Sequence, residues 1–501
     1  MFVRKKSNRS GSISVQIVQK INRINKVLKT VGSSSDPDTI ERLYQKALYE
    51  LPRLYGATLF DQFEEPKVSE LSNDSIRIIG PELTFGVIYD RLGYQATGSA
   101  LLKDLVISRI THPGSKLKLS EYLKDTGRSD ISVYSIYRFL DKLNSSLKHK
   151  IEDISFQHTH KLLGGKIGVI FYDMTTIYFE SSQPDDFRIT GFSKEGKHQN
   201  PQILLGLLVG SNGYPIGYET FEGNTFEGHT LIPVLERFSK RFSLKKPVVV
   251  ADAGLLSKNN IESLCQNGYE FILGARIRNE TQDVMENINK LDLAHGQIGL
   301  IAKSDGSKLY ISYSSKRSEK DRFNRERGLK KLEKSLTAGR LTKGNINNRG
   351  YNKYLRMEGS VSITIDYNKF YEDEKWDGLK GYLTNTDLSG EEVVENYNNL
   401  WKIEKAFRIS KTDLKIRPIY HRLRDRIEAH ICISFVSYVI YKELERMLQK
   451  NHAVLSMEKA IELINKMYEV RERDKYGNIQ TFRLKNNGPQ QELINLIMTD
   501  C

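Results

Sequence analysis

Gly168-Val169-Ile170-Phe171-Tyr172-Asp173 is an apolar run that ends in an acid. Further along, Pro247-Val248-Val249-Val250-Ala251-Asp252 repeats the form. A continuous apolar run of this length reads as a central strand covered on both faces. Between the two lie Ile203–Val209 and Tyr214–Glu219, joined through Ser211-Asn212-Gly213. Asn-Gly between apolar runs is a strong hairpin signal. Leu231, Val234, Leu235 and Phe238 then recur at helical spacing. After the second acid come a helix over Lys258–Gln266 and a strand over Phe271–Ala275. Three strands, helix, strand, helix, strand is the order of a mixed α/β sheet.

The next strand outward is Leu379–Asn385, which contains Gly381-Tyr382-Leu383-Thr384-Asn385 and feeds a helix from about Gly390 to Lys411. On that helix Tyr397, Glu404 and Lys411 are spaced seven apart, close to two turns. Arg408, four residues past Glu404, joins their face. The stripe presents a carboxylate bracketed by two cations and a phenol. That set suits a divalent metal and phosphates; it equally describes a solvated, salt-bridged helix face. Asp173 and Asp252 weigh in favour of the first reading. Three carboxylates at the edge of one sheet repel each other unless cations intervene. Two divalent ions remove the repulsion and supply phosphoryl-transfer chemistry.

The chain has 501 residues, too many for one core. No apolar run is long enough to span a bilayer, and Met1–Lys6 lacks the apolar segment of a signal peptide. Cys265, Cys432 and Cys501 form no CxxC pair, which argues against a zinc finger or disulfide framework and fits a cytoplasmic protein. The net charge is +14, which points to an acidic polymer, most often nucleic acid. The charge is concentrated. Residues 1–30 hold eight Lys/Arg and no acid, and residues 316–356 hold fourteen Lys/Arg against four acids.

Residues 1–75 read as a basic arm and helix: a hairpin of Phe2–Lys6 with the alternating Ile13, Val15 and Ile17, then a loop through Pro37, then a helix to about Leu51 capped by Asp36 or Asp38. Residues 76–160 read as a helical region suited to DNA binding, without a recognisable motif. Residues 161–278 and 379–450 carry the sheet elements and the acids. Residues 279–378 interrupt them with strand-like Lys308–Tyr313 and Val361–Tyr367 around a charged helix, Glu319–Leu336. In the tail, 451–501, a Tyr476-Gly477-Asn478 turn separates strand-like pieces, with a helix on either side.

From about Gly168 to Tyr441 the chain resembles the DDE transposases of bacterial insertion sequences, in the branch with a β-rich insertion in its RNase H-like domain. The first two acids match Asp173 and Asp252, the latter within Val250-Ala251-Asp252-Ala253-Gly254. The family signature spaces Tyr, Arg, Glu and Lys along the third acid's helix. Here it reads Tyr397, Leu400, Glu404, Lys411, departing at Leu400 where Arg is usual. Phe221–Thr225 and Glu428–Ile431 also look like this family. The resemblance implies Asp173, Asp252 and Glu404 as catalytic ligands of two Mg²⁺ or Mn²⁺ ions. It implies double-stranded DNA as partner, namely terminal inverted repeats and target DNA, with the protein acting as a homodimer that nicks strands and joins 3′-hydroxyl ends. The DNA contacts are expected from Tyr397, Arg408 and Lys411, from Arg322, Arg325, Lys330, Lys331 and Lys334 in the basic insertion, and from Arg4, Lys5 and Lys6 in the arm. Arg408 is expected to supply the phosphate fork missing at Leu400.

The alternatives are an RNase H-like nuclease without strand transfer, an inactive DNA-binding relative, and a tyrosine recombinase suggested by His421-Arg422-Leu423-Arg424. His430 and Cys432 read as core neighbours, Asp366 as a decoy, Asp185 and Asp186 as an exposed turn, and Trp401 and Phe407 as core anchors.

Overall fold

A computed structural model describes residues 1–21, 24–51, 75–143, 145–180, 183–192, 196–255, 257–358, 362–473 and 479–499. The chain forms two compact units, Met1–Ser75 and Ile76–Cys501.

In the first unit, β1 (Phe2–Ser7), β2 (Ile13–Ile21) and β3 (Ile24–Ser34) form an antiparallel sheet in that order. The expected hairpin is present, with Phe2 opposite Val18 and Ser7 opposite Ile13. Helix α1 (Pro37–Glu50) covers the sheet, burying Val15 and Ile17 against Ile40 and Ala47. Asp36 caps α1, its carboxylate accepting from the Thr39 N–H at 2.9 Å. Strand β3 was not expected. Its apolar Ile24, Val27, Leu28 and Val31 do not alternate, and most of it is exposed.

The second unit begins with β4 (Ile76–Ile78) and the helices α2 (Val87–Arg91), α3 (Ala100–Thr111), α4 (Lys116–Asp125), α5 (Val133–Lys142) and α6 (Ser145–Leu162). The central sheet follows. Strands β5 (Val169–Tyr178), β6 (Gln202–Val209) and β7 (Pro215–Glu222) form an antiparallel meander. Asn212 and Gly213, at φ 66° and 75°, make its second turn. Both angles suit the Asn-Gly pair. Helix α7 (Leu231–Phe242) leads to β8 (Val248–Ala251), and α8 (Lys258–Gln266) to β9 (Phe271–Ala275). β8 lies parallel to β5, and β9 parallel to β8. The order β7-β6-β5-β8-β9 is an RNase H-like core.

The stretch expected to be a β-rich insertion divides in two. After α9 (Gln282–Lys290), strands β10 (Ile298–Ala302) and β11 (Lys308–Tyr313) belong to the main sheet. What leaves the sheet is chiefly helical: α10 (Ser315–Thr337), a small hairpin of β12 (Leu355–Glu358) and β13 (Ser362–Ile365), and α11 (Tyr367–Glu372). Its own core is small, with Leu332, Tyr354, Leu355, Ile365 and Phe370 buried. The chain returns in β14 (Leu379–Thr384), which inserts between β9 and β11 and completes an eight-stranded mixed sheet.

Both faces of this sheet are covered. Ile170, Tyr172 and Met174 point into one core, with α7 and α8. Phe171 and Ile177 point into the other, with α12 (Gly390–Asn398), α13 (Trp401–Thr412) and the long α14 (Arg424–Lys450). Alternating burial on two covered faces is what makes β5 read as one apolar run. Residues 427–448 of α14 are almost all buried, because α2, α3, α5 and α6 pack around it with α13. Helix α15 (Met457–Ile464), β15 (Tyr468–Arg473), β16 (Ile479–Arg483) and α16 (Gly488–Thr499) complete the unit, and β4 pairs with β15. The Tyr476-Gly477-Asn478 turn lies outside the described residues. No helix among the described residues is long and apolar enough to cross a membrane.

Candidate active site

Asp173 does not end its strand, as the apolar run suggested. β5 continues to Tyr178, still paired with β6. What ends there is the partnership with β8: the last parallel pair is Tyr172 with Ala251. The next residue on each strand is Asp173 and Asp252, so the two acids emerge side by side where the sheet opens. Side chains alternate along a strand. Asp173 therefore shares the face of Phe171, and Asp252 that of Val250, which is the face covered by α12 and α13.

The expected single helix after β14 is two helices. Ser389 starts α12 with a capping box, in which its hydroxyl accepts from Glu392 N–H and the Glu392 carboxylate accepts from Ser389 N–H. Between Asn398 and Trp401 the ladder tightens. The N–H groups of Leu400, Lys402 and Ile403 each reach back three residues, at 3.0, 3.0 and 3.1 Å, while Glu404 N–H to the Leu400 carbonyl stretches to 3.5 Å. The register from Tyr397 to Glu404 therefore crosses a tight turn. Leu400 sits in that turn, 7% exposed and inside the core. It does not share an open stripe with Glu404 and Arg408, where one unbroken helix would place it, one turn before Glu404. The anchor expected of Phe407 is in the core, but Trp401 is 54% exposed.

Tyr397 lies within electrostatic reach of all three acids. It is buried, edge to face with Tyr382, ring centroids 5.0 Å apart. Its phenol is held well above its usual range, by burial first and then by Asp252, with Glu404 and Asp173 contributing too. Lys380, on the same face of β14 as Tyr382, holds its ammonium 4.3 Å from the Tyr397 ring centre. Burial lowers its pKa, and the negative charges of Asp252 and Glu404 oppose that lowering. Glu227, in a short turn before α7, faces Asp252 across Gly254. A Cβ on that glycine would stand 3.8 Å from Asp252 Oδ2 and 3.9 Å from Glu227 Oε2. Lys380 and Glu227 escaped the sequence reading. Lys380 is legible as the strand neighbour two before Tyr382, whereas Glu227 carries no local signal.

Arg408 is exposed, and its charge acts on Tyr441 of α14. Lys411 is half-exposed. On α10, Arg322, Lys330, Lys331 and Lys334 are exposed. Arg325 departs from the expectation of a phosphate contact. Its guanidinium turns inward to Asp377 at 2.8 Å, with side chains only 7% and 6% exposed. A cleft of about 680 Å³ lies between α10 and the ends of β9 and β14, walled by Arg276, Arg278, Arg317, Lys353 and Lys380. Lys380 joins this basic cleft to the acids. In the first unit Lys6 is exposed, Lys5 pairs with Glu41 at 2.7 Å, and Arg4 donates to Gln16. Asp366 caps α11, accepting from Lys369 N–H at 3.0 Å. Asp185 closes its turn on Arg188, and Cys432 and His430 lie in the core of α14.

The family described as "Transposase DDE domain" matches residues 164–440, more than half of the chain. The chain belongs to this family. Among solved structures, the piggyBac transposase synaptic complex with hairpin DNA is similar at 11% identity, covering 77% of this chain and 76% of that one, with a TM-score of 0.40. The Mos1 mariner paired-end complex with Mn matches at 14% identity over 32% of this chain and 54% of that one, TM-score 0.15. The Mos1 paired-end complex with left transposon end matches at 13% over 48% and 68%, TM-score 0.16. A search of curated proteins finds no match. The fold assignment rests on the sheet order and the family match.

Proposed function

We propose that this protein is the transposase of a bacterial insertion sequence, of the Tyr-Arg-Glu-Lys signature branch. It cleaves DNA at the element's terminal inverted repeats and joins the freed 3′-hydroxyl ends to target DNA, working in the cytoplasm as a homodimer on two ends. The observation that carries this reading is the register of β5 and β8, which brings Asp173 and Asp252 out side by side on the face that α12 and α13, the helix of Glu404, cover.

Asp173, Asp252 and Glu404 are the residues that would hold two Mg²⁺ or Mn²⁺ ions. The donor set fits: all are carboxylates, the ligands hard divalent cations prefer, and their shared negative field calls for cations. Among the described residues, no three such side chains are already gathered at ligating distance. When bound, the ions activate a water or 3′-hydroxyl and stabilise the leaving oxygen. The chain's own residues do the rest. Tyr397, kept neutral, is a hydroxyl donor beside the acids. Arg408 grips a phosphate with its planar fork, and Lys411 adds a point charge. The exposed cations of α10 track the transposon end, with the basic residues of the first unit, Arg4, Lys5 and Lys6, on further phosphates.

The test is incubation of the purified protein with a fragment bearing its element's own ends, with Mg²⁺ or with EDTA. Metal-dependent nicking and joined products are expected. Nicking without joining reduces the protein to a nuclease, and neither product leaves only a DNA-binding relative.

A further inference from the structure

The helical layer of the second unit contains a group of basic side chains that the acid site does not use. Arg109 on α3, Lys116 in the first turn of α4, and His421 and His430 wall a cavity of about 680 Å³. Arg109 and Lys116 are each 6% exposed, and both histidines are buried. Buried charges require partners. Here the partners are few. Arg109 Nη1 donates to the Lys415 carbonyl at 3.3 Å. Arg109 Nη2 and Lys116 Nζ both approach His430 Nδ1, at 3.2 and 3.3 Å. His430 Nε2 lies 2.9 Å from the Ile416 carbonyl, which makes Nε2 the donor and leaves one lone pair on Nδ1 for two donor groups. Among the described residues, no carboxylate bonds to any of the four. Asp141, the acid whose charge reaches His421, is held by Arg426 at 2.8 Å. Burial lowers the proton affinity of Lys116 far below its usual value, brings Arg109 to about 10 and His421 to about 4.

Two further features point to the chemistry this cavity would take. The N-terminus of α4 opens into the same cavity, with Ser115 as its cap, and a helix N-terminus favours an anion. The wall from Arg417 to His421 also touches the sheet: Ile419 bridges Phe179, just past the end of β5, the strand that carries Asp173. We propose that this cavity is an oxyanion site that takes a phosphate group. A tetrahedral oxyanion offers several acceptor oxygens, enough to satisfy Arg109 and Lys116 together and to relieve the contest for His430. The phosphate belongs either to a DNA strand passing the end of β5 or to free inorganic phosphate.

The test uses the full chain in two arms. In the first, thermal melting is followed with inorganic phosphate replacing chloride at constant ionic strength. The wild type should gain at least about 2 °C, because a ligand that binds only the folded state raises its melting point. Lys116→Met should lose that gain and, without phosphate, melt no lower than wild type, since it removes a poorly partnered buried polar group. His421→Asn gives the same comparison should Lys116→Met fold poorly. No response in the wild type overturns the site. A response that survives Lys116→Met, with the variant melting lower, also overturns it and makes Lys116 a structural donor. The second arm, which rests on the transposase reading, measures binding of a duplex end fragment against salt. A slope flatter by about 0.9 in Lys116→Met assigns the phosphate to DNA. An unchanged slope, with the phosphate response lost, assigns the site to free phosphate.

Discussion

Gly274 on β9 leaves the space that the Tyr397 hydroxyl fills; a Cβ there would collide with it. The same glycine pairs with Tyr382, so the sheet, the aromatic pair and the acids are fitted together at one backbone position. Gly274→Ala should displace the phenol, cost about 1–3 kcal/mol of stability as an overpacked site, and depress cleavage. Tyr397→Phe retains the ring and should stay within about 1 kcal/mol of wild type while cleaving about tenfold more slowly. Thermal denaturation beside a nicking assay separates the two. Wild-type cleavage by Tyr397→Phe would reduce the tyrosine to a packing element.

Asp173→Asn, Asp252→Asn and Glu404→Gln should each abolish cleavage and leave end binding intact. They should not destabilise the fold, because each removes one of several like charges bearing on the same point. Chelation should mimic all three, and Mn²⁺ or Mg²⁺ should restore only the wild type. Gel-shift and nicking assays on one preparation check this. Substantial cleavage by Asp252→Asn would sink the assignment.

The cations of α10 should separate by exposure. Changing Arg322, Lys330, Lys331 and Lys334 together to Gln should weaken DNA binding and flatten the salt dependence by about 0.9 per lost phosphate contact, with little change in melting temperature. Arg325→Met should do the reverse. It leaves Asp377 buried and unpaired, and breaking a buried pair costs about 3–5 kcal/mol. An unchanged salt slope in the fourfold variant would mean that this helix faces solvent and that the first unit carries the phosphate contacts.

Why some elements were legible and others were not follows from burial. The runs ending in Asp173 and Asp252 could be read because both sheet faces are covered, so every position is apolar until the sheet opens. Asn212-Gly213 and the Asp36 cap were legible because their chemistry is local. The break between α12 and α13 was not, since Asn399 and Leu400 contain neither glycine nor proline and only the hydrogen-bond ladder reveals the tighter turn. Arg325 looked like its charged neighbours because its partner Asp377 lies beyond the hairpin and α11. The cluster of Arg109, Lys116, His421 and His430 comes from separate segments of the chain, and no periodicity signals it.

Leu400 and Arg408 lie in different environments, and that difference predicts how each responds to substitution. Leu400 is buried in the turn between α12 and α13, whereas Arg408 is exposed one turn beyond Glu404. A guanidinium at position 400 would have to enter this core without a partner or force the turn open, so Leu400→Arg should lower the melting temperature rather than raise activity. Leu400→Met, which conserves volume, should cost less than about 1.5 kcal/mol. Arg408 is the residue free of that constraint. Arg408→Lys keeps the charge and loses the two-pronged hydrogen bond, so it should reduce cleavage strongly and binding modestly, while Arg408→Ala should impair both. Both Arg408 variants should melt like wild type because the side chain contributes no core packing. Kinetics of single-strand nicking, with end binding measured on the same proteins, read the outcome. Near wild-type cleavage by Arg408→Ala would show that the phosphate fork is absent from this helix, and a stable, more active Leu400→Arg would place it back in the turn.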